Sequence, residues 1–361
     1  VAGKYTEALE RNNGNKTAAA RELGIPRSTF RENLEKEQGH NPMIVTRRST
    51  LTDLRTGEPI QEWVIESLDR QKAAEAQRAA FEALSATLPR IAPTAPPRAS
   101  EVHLATVYTL TDAHIGMLAW KREGGDDWDL QIAEETITGC FAELIRAAPN
   151  SELAVFNQLG DLLHYDGLLS VTPTSGHILD ADGRFTKMVE VAVRVIRRVV
   201  QMLLEKHKRV HMILAEGNHD IASSVWLRTM FKALYENEPR ITVDDSALPY
   251  YCLQWGETML AFHHSHLKKL DKLAGFMAAQ FPVIWGATKK RYVHTGDKHH
   301  AHEKDDGGAK VIQHPTLAAR DAYAARGGWH AMRYANAITY HQLYGEVARN
   351  SVCPEMLDMA A

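Results

Sequence analysis

Cysteine is nearly missing from this chain: three residues, Cys140, Cys252 and Cys353, in 361. Their number is odd and no two stand in C-x-x-C spacing. That excludes a disulfide framework and a thiolate zinc site, and fits a reducing compartment. A dominant charge is missing as well. The 42 lysines and arginines against 45 aspartates and glutamates leave a formal net charge of −3, so any surface for a polyanion must be a local patch. No apolar run approaches the roughly 18 residues of a membrane span, and the N-terminus does not read as a signal peptide. A soluble, cytoplasmic protein with no membrane partner is expected.

Histidine is what the chain has in excess. Of 18 histidines, 14 lie between His114 and His314, a density that points to metal chemistry. The chain also changes character along its length. Residues 1–40 read as three short helices: "KYTEALERN", "NKTAAAREL" and, after a "GIP" turn, "RSTFRENLEKEQ". Leu9, Ala18, Ala19, Leu23, Ile25, Phe30 and Leu34 supply a small apolar core. Residues 41–100 hold a β-hairpin over 43–65 around "RTGE", a helix over 66–88, and an extended linker, "PRIAPTAPPRAS", with four prolines. Residues 101–361 alternate strands with helices, the pattern of an α/β layered domain whose ligand sites gather at the carboxyl ends of strands.

Five apolar runs end alike. "HLATVYTLTD" leads to Asp112 and His114, and "ELAVFNQLGD" to Asp161, with His164 and Asp166 beyond. "RVHMILAEGNHD" delivers Asn218, His219 and Asp220; "TMLAFHHSH" delivers His264 and His266; "KRYVHTGDKHH" delivers Asp297 and His299. One such ending is a turn; five in succession are hard to explain as turns. Asp112, His114, Asp161, Asn218, His264, Asp297 and His299 are too many ligands for one tetrahedral zinc and suit two ions sharing a bridging carboxylate. Their oxygen and nitrogen donors point to Mn²⁺ first, with Fe or Zn²⁺ as alternatives.

The first forty residues resemble the helix-turn-helix of bacterial regulators, through "NGNKTAAARELGI" and "RSTFREN". That resemblance implies a DNA partner met by Arg27, Ser28, Thr29 and Arg31 at the start of the third helix. Nine basic against six acidic residues over 1–50 is a modest excess, and such units also serve as protein adaptors. The series D-x-H, G-D, G-N-H-D, H-x-H and a final G-x-x-H over about 105–305 resembles the calcineurin-like metallophosphoesterases. With the helix-turn-helix and the tail "HPTLAARDAYAARGGW" it is similar to phosphoesterases of bacteriophages and prophages, which would place it in a bacterial host cell.

This resemblance implies a four-layer α/β/β/α sandwich. It implies that Asp112, His114, Asp161 and His299 hold one metal and that Asp161, Asn218 and His264 hold the second. His219 would act as general acid, oriented by Asp220, while a metal-bound hydroxide attacks phosphorus in line. Asp297 stands where the family has histidine. His164, Asp166 and His266 would touch substrate or bond to ligands. A phosphodiesterase or nuclease acting on DNA is favoured. A phosphomonoesterase and a DNA-binding regulator with a weak phosphoesterase scaffold are the alternatives, and a homodimer is left open.

Overall fold

The computed structural model describes residues 4–12, 16–27, 29, 30, 33, 34, 92–173 and 175–358, and the backbone of 43–52 and 59–68. The chain divides into two units, Val1–Ala79 and Ala80–Ala361. In the first, α1 (Lys4–Arg11) and α2 (Lys16–Glu22) precede Gly24, which turns the chain with φ +68°, and the backbone is helical again from Arg27. Phe30 and Leu34 close over Ala8, Ala19 and Ala20, with Leu9, Leu23 and Ile25 at the edge. Ala18, expected in this core, is half-exposed; the inward face of α2 runs through Ala19 and Ala20 instead. Arg27 is exposed and Thr29 half-buried, while Ser28 and Arg31 lie outside the described residues.

Strands β1 (Met43–Thr52) and β2 (Pro59–Leu68) pair antiparallel from Met43↔Leu68 to Thr52↔Pro59. The two strands of the expected hairpin are present, and the turn around "RTGE" lies outside the described residues. The helix expected over 66–88 starts too early, because Glu66, Ser67 and Leu68 are on β2, carried there by the β-branched pair Val64 and Ile65. Its remainder lies outside the described residues.

The second unit carries two sheets. The larger has the order β13-β12-β3-β4-β5-β6, built from β3 (Glu101–Leu110), β4 (Ser151–Leu159), β5 (Arg209–Ala215), β6 (Ile241–Val243), β12 (Ala335–His341) and β13 (Gly345–Val352). Strands β3 to β6 are parallel, and β12 returns antiparallel to β3. The smaller has the order β10-β11-β9-β8-β7, from β7 (Tyr251–Trp255), β8 (Thr258–Phe262), β9 (Lys290–Thr295), β10 (His302–Asp306) and β11 (Ala309–Gln313).

The side-chain period of two sorts residues between layers. Val107, Val155, Ile213, Leu260 and Phe262 pack between the sheets. Tyr108, Phe156 and Met212 face α3 (Leu130–Ala147), α4 (Phe185–Lys206) and α5 (Ile221–Leu234). On the far side, Met259, Ala261 and Val293 cover Leu273 and Met277 of α6 (Leu270–Gln280). The four-layer α/β/β/α sandwich is the architecture observed. The face of α4 read from its period, Met188, Ala192, Val195, Val199 and Leu203, is fully buried. Among the described residues, no helix is long and apolar enough to cross a membrane.

A buried polar chain ties the layers together. His294 Nδ1 lies 2.8 Å from His314 Nε2, and the Tyr340 hydroxyl lies 3.2 Å from His294 Nε2. Burial holds His314 down to about 3, with Arg349 adding to it, and pushes His294 well below its ordinary range, with His314 adding to it. Below ~6.5 the unfolded chain takes protons that these rings refuse when folded. Their contribution is therefore complete above ~6.5 and is lost as pH falls, at about 1.4 kcal/mol per pH unit for each ring. Urea unfolding at about pH 7 and about pH 5 should show this loss, and His314→Gln should shrink the difference. An equal drop in the variant would refute the assignment.

Candidate metal centre

The carboxyl ends of β3, β4, β5, β8 and β9 converge. Beyond the strands the β3 and β4 loops keep pairing: Asp112 N–H donates to Gly160 O at 3.1 Å, and His114 N–H to Asp161 O at 3.0 Å. These turns demand unusual backbone. Asp112, His114, Asp161, Ser265, Asp297 and His299 all have positive φ, between 42° and 100°. Non-glycine residues in this region are strained and persist only where the surrounding structure holds them. Five of the six are residues singled out by sequence as metal ligands.

Glycine makes the approach close enough. A Cβ on Gly217 would stand 2.0 Å from Asp161 Oδ1, and one on Gly296 2.0 Å from Thr111 Oγ1. Gly217 is not at positive φ. Its contribution is space for Asp161.

The donor atoms form overlapping groups. Asp112, Asp161 and His264 place one ligand atom each within 4.8 Å of one another, as do Asp112, His114 and His299. His264 Nε2 is 3.3 Å from Asp161 Oδ2 and 3.9 Å from Asp112 Oδ1. His299 Nε2 is 3.3 Å from Asp112 Oδ1 and from His114 Nε2. His264 Nδ1–H donates to Leu159 O at 2.7 Å, which fixes the ring and leaves Nε2 toward the carboxylates.

Among the described residues, Asp112 Oδ1, His264 Nε2, Asn218 Oδ1 and His266 Nδ1 are buried here without a hydrogen-bond partner. Unpaired buried polar atoms of this kind are rare and call for an explanation. The acids are poised to stay charged. Burial opposes ionisation of Asp161, but His264 holds its carboxyl well below the usual range, and His299 and His264 hold Asp112 below its own against the same burial. Burial also opposes charge on His264, yet Asp161 and Asp112 push its pKa up to about 10. The pocket attracts positive charge. By contrast burial, with the nearby His219 adding, drives His114 well below its ordinary value and His164 to about 3.

His219 sits beside these groups, its ring 4.7 Å from that of His114. Its N–H donates to Asp161 Oδ1 at 2.8 Å, and its Nδ1–H donates to the backbone oxygen of His164 at 2.8 Å. A carbonyl only accepts, so Nδ1 carries the proton and Nε2 is free to act. The ring of His164 also lies 3.3 Å from His114 Nδ1.

Three residues have bonds that the sequence did not suggest. Asp220 does not orient His219; its carboxylate accepts the N–H groups of Gly217, Leu162 and Leu163 at 2.8, 2.8 and 3.2 Å. Burial, then the charge of Asp161, raise its pKa to about 7. Asp166 is bonded at the start of α5. It accepts from Ala222 N, Ser223 N and Ser223 Oγ at 2.6, 2.8 and 2.6 Å, capping α5 in place of a residue of the helix itself. Asp297 is outside the donor groups found among the described residues. Its backbone N–H reaches Asp112 Oδ2 at 3.1 Å, while its carboxylate lies 2.7 Å from Lys298 Nζ.

His266 lies next to His264 and has its Nε2 3.8 Å from Glu216 Oε1. Sequence reading passed over Glu216, although it directly precedes Gly217, and over two hydroxyls on Asp112. Thr111 Oγ1 donates to its Oδ2 at 2.6 Å, and Thr316 Oγ1 to its backbone oxygen at 2.6 Å.

Comparison with known proteins adds little to this geometry. Residues 6–36 match the model of the Fis family of bacterial regulatory proteins. No curated protein matches the chain. Among solved structures it is similar to a conserved uncharacterized protein, a predicted phosphoesterase, from Streptococcus pneumoniae TIGR4. That likeness has 11% identity and a TM-score of 0.27, over 70% of this chain and 99% of the other. It is also similar to wild-type Vps29 complexed with Zn²⁺ from Entamoeba histolytica, at 10% identity and a TM-score of 0.31, over 68% and 98%.

Gly217→Ala tests the closeness of the centre. The added methyl must displace Asp161, so stability should fall by about 1–3 kcal/mol and Mn²⁺ uptake, read by calorimetry, should drop at least tenfold. Unchanged uptake would mean that Asp161 needs no such close approach.

Proposed function

We propose that the second unit is a divalent-metal-dependent phosphoesterase acting on phosphodiesters, with DNA as the favoured substrate. One observation carries the reading: Asp112, Asp161 and His264 meet in a buried pocket that attracts positive charge, with polar atoms there left unpaired. The residues fit two cations. Asp112, His114, Asp161 and His299 would hold one and Asp161, Asn218 and His264 the other, with Mn²⁺, Fe or Zn²⁺ all compatible with the donors. Bound there, such ions lower the pKa of water and neutralise phosphate charge.

The chain's own groups do the rest. His219, held through Nδ1 by the His164 carbonyl, presents Nε2 to the phosphate. Protonated, it donates to the leaving oxygen and offsets charge developing on phosphorus. Asp161 holds the loop of His219 through its backbone N–H, so the acid and the metal site keep a fixed spacing. His164 reaches both His114 and His219 and acts as a positioning residue. Asp297 contributes its backbone N–H to Asp112 and adds no ligand in this arrangement.

The first unit supports DNA as the partner, through Arg27 and Thr29 at the head of its third helix. A tether raises the local concentration of a bound strand at the hydrolytic site. The same core chemistry would serve monoesters, so substrate class has to be measured.

Two experiments decide. Metal-dependent hydrolysis of bis-p-nitrophenyl phosphate should exceed that of p-nitrophenyl phosphate and extend to labelled DNA; a faster monoester would move the assignment to a phosphatase. Asp161→Asn should abolish turnover and metal uptake together, whereas His219→Ala should lose about 10²-fold or more in kcat and keep its metal. Metal loss in His219→Ala would make His219 a ligand rather than an acid.

A further inference from the structure

On the outer helical face of the larger sheet lies a cavity of about 680 Å³, lined by Thr94, Arg194, Arg197, Arg198, Gln201 and Tyr235 among others. The three arginines follow from the period of α4. Its buried stripe leaves positions 194, 197, 198 and 201 on the solvent side, one turn apart. Arg194 is engaged, its Nε and Nη2 donating to the two carboxylate oxygens of Glu134 at 2.9 and 2.6 Å. Arg197 and Arg198 are exposed, and among the described residues no carboxylate pairs with them. Two guanidiniums thus face a concave surface in a chain whose net charge is slightly negative.

The groove is also where the linker enters the second unit. Thr94 N–H and Oγ1–H donate to the buried Glu238 Oε2 at 2.7 and 3.1 Å, and Arg240 Nη1 donates to Thr94 Oγ1 at 2.8 Å. Arg240 also reaches the backbone oxygens of His207 and Lys208 at 2.7 and 2.9 Å. The proline-rich segment is therefore clamped beside Arg197 and Arg198 by a buried acid and a multiply bonded guanidinium.

We propose that this groove is a second nucleic-acid contact, where Arg197 and Arg198 take backbone phosphates of DNA engaged by the helix-turn-helix. The inference rests on DNA being the partner, as proposed above. Guanidinium groups suit phosphate oxygens geometrically and contribute without reading sequence. Thr94 of the linker is bonded beside the two guanidiniums, so the groove lies on the side of the second unit where the linker joins it.

The test uses the full chain and a duplex oligonucleotide, with binding measured between about 50 and 200 mM salt. The double variant Arg197→Ala/Arg198→Ala should bind about tenfold more weakly, and its slope of log K against log salt should fall by about 2. Lys272→Ala/Lys290→Ala, removing two exposed cations elsewhere, should change neither. Thermal melting checks that both variants fold. Equal affinity and slope in the groove variant overturns the proposal, as does the same loss in the control or no DNA binding by the parent protein. Loss of binding to phosphatidylserine vesicles with unchanged DNA binding would also overturn it, marking a membrane contact. Aryl diester hydrolysis in the same samples separates the two ideas. Its absence from the parent protein counts against the phosphoesterase reading, while the salt slope still decides the groove.

Discussion

Two buried aspartates that must remain ionised set the terms for the second unit. Asp112 and Asp161 come from neighbouring strands and are both within 4 Å of His264 Nε2. Like charges brought together out of water are costly unless donors and cations surround them. The surrounding groups do that: the N–H of His219 and of Asp297, the Thr111 hydroxyl and the rings of His264 and His299 all point at these two carboxylates. The strained backbone follows from the same demand. An ordinary exit from β3, β4 or β9 would carry its aspartate or histidine away from the common point.

The other acids nearby serve the scaffold. Asp220 and Asp166 spend their oxygens on backbone N–H groups of the β4 loop, the β5 loop and the first turn of α5. They hold the loops that bear Asp161 and His219. A dense run of carboxylates in sequence thus divides into two classes, those aimed at the pocket and those that fix the loops around it.

That division explains what sequence could and could not reveal. The strands were legible because each is an apolar run with a defined end, and the layers because the run of α4 has an unmistakable 3.6 period. Asp112, His114, Asp161, His264 and His299 were legible because carboxylate and imidazole groups recur where strands stop. The partners of Asp220, Asp166 and Asp297 were not, since they depend on where a distant backbone N–H points. Nor was the reason for Gly217, which lies in a contact with a residue 56 positions earlier. The assignment of the helix failed over its first three residues: Glu and Leu favour helix in isolation, but pairing of Glu66, Ser67 and Leu68 with Val45, Ile44 and Met43 decided for strand.

The pairing of β3 with β12 joins residues 104–109 to 336–341. Long-range pairing of this kind is slow to form and is exposed while it waits. During synthesis the N-terminal helices, with their own small core, can fold as soon as they emerge. The larger sheet cannot complete its antiparallel edge until residues 335–352 have been translated. Asp112 and His299 depend on that sheet and on β9 for their meeting, so a nascent chain acquires its helix-turn-helix long before its cluster of acids and imidazoles.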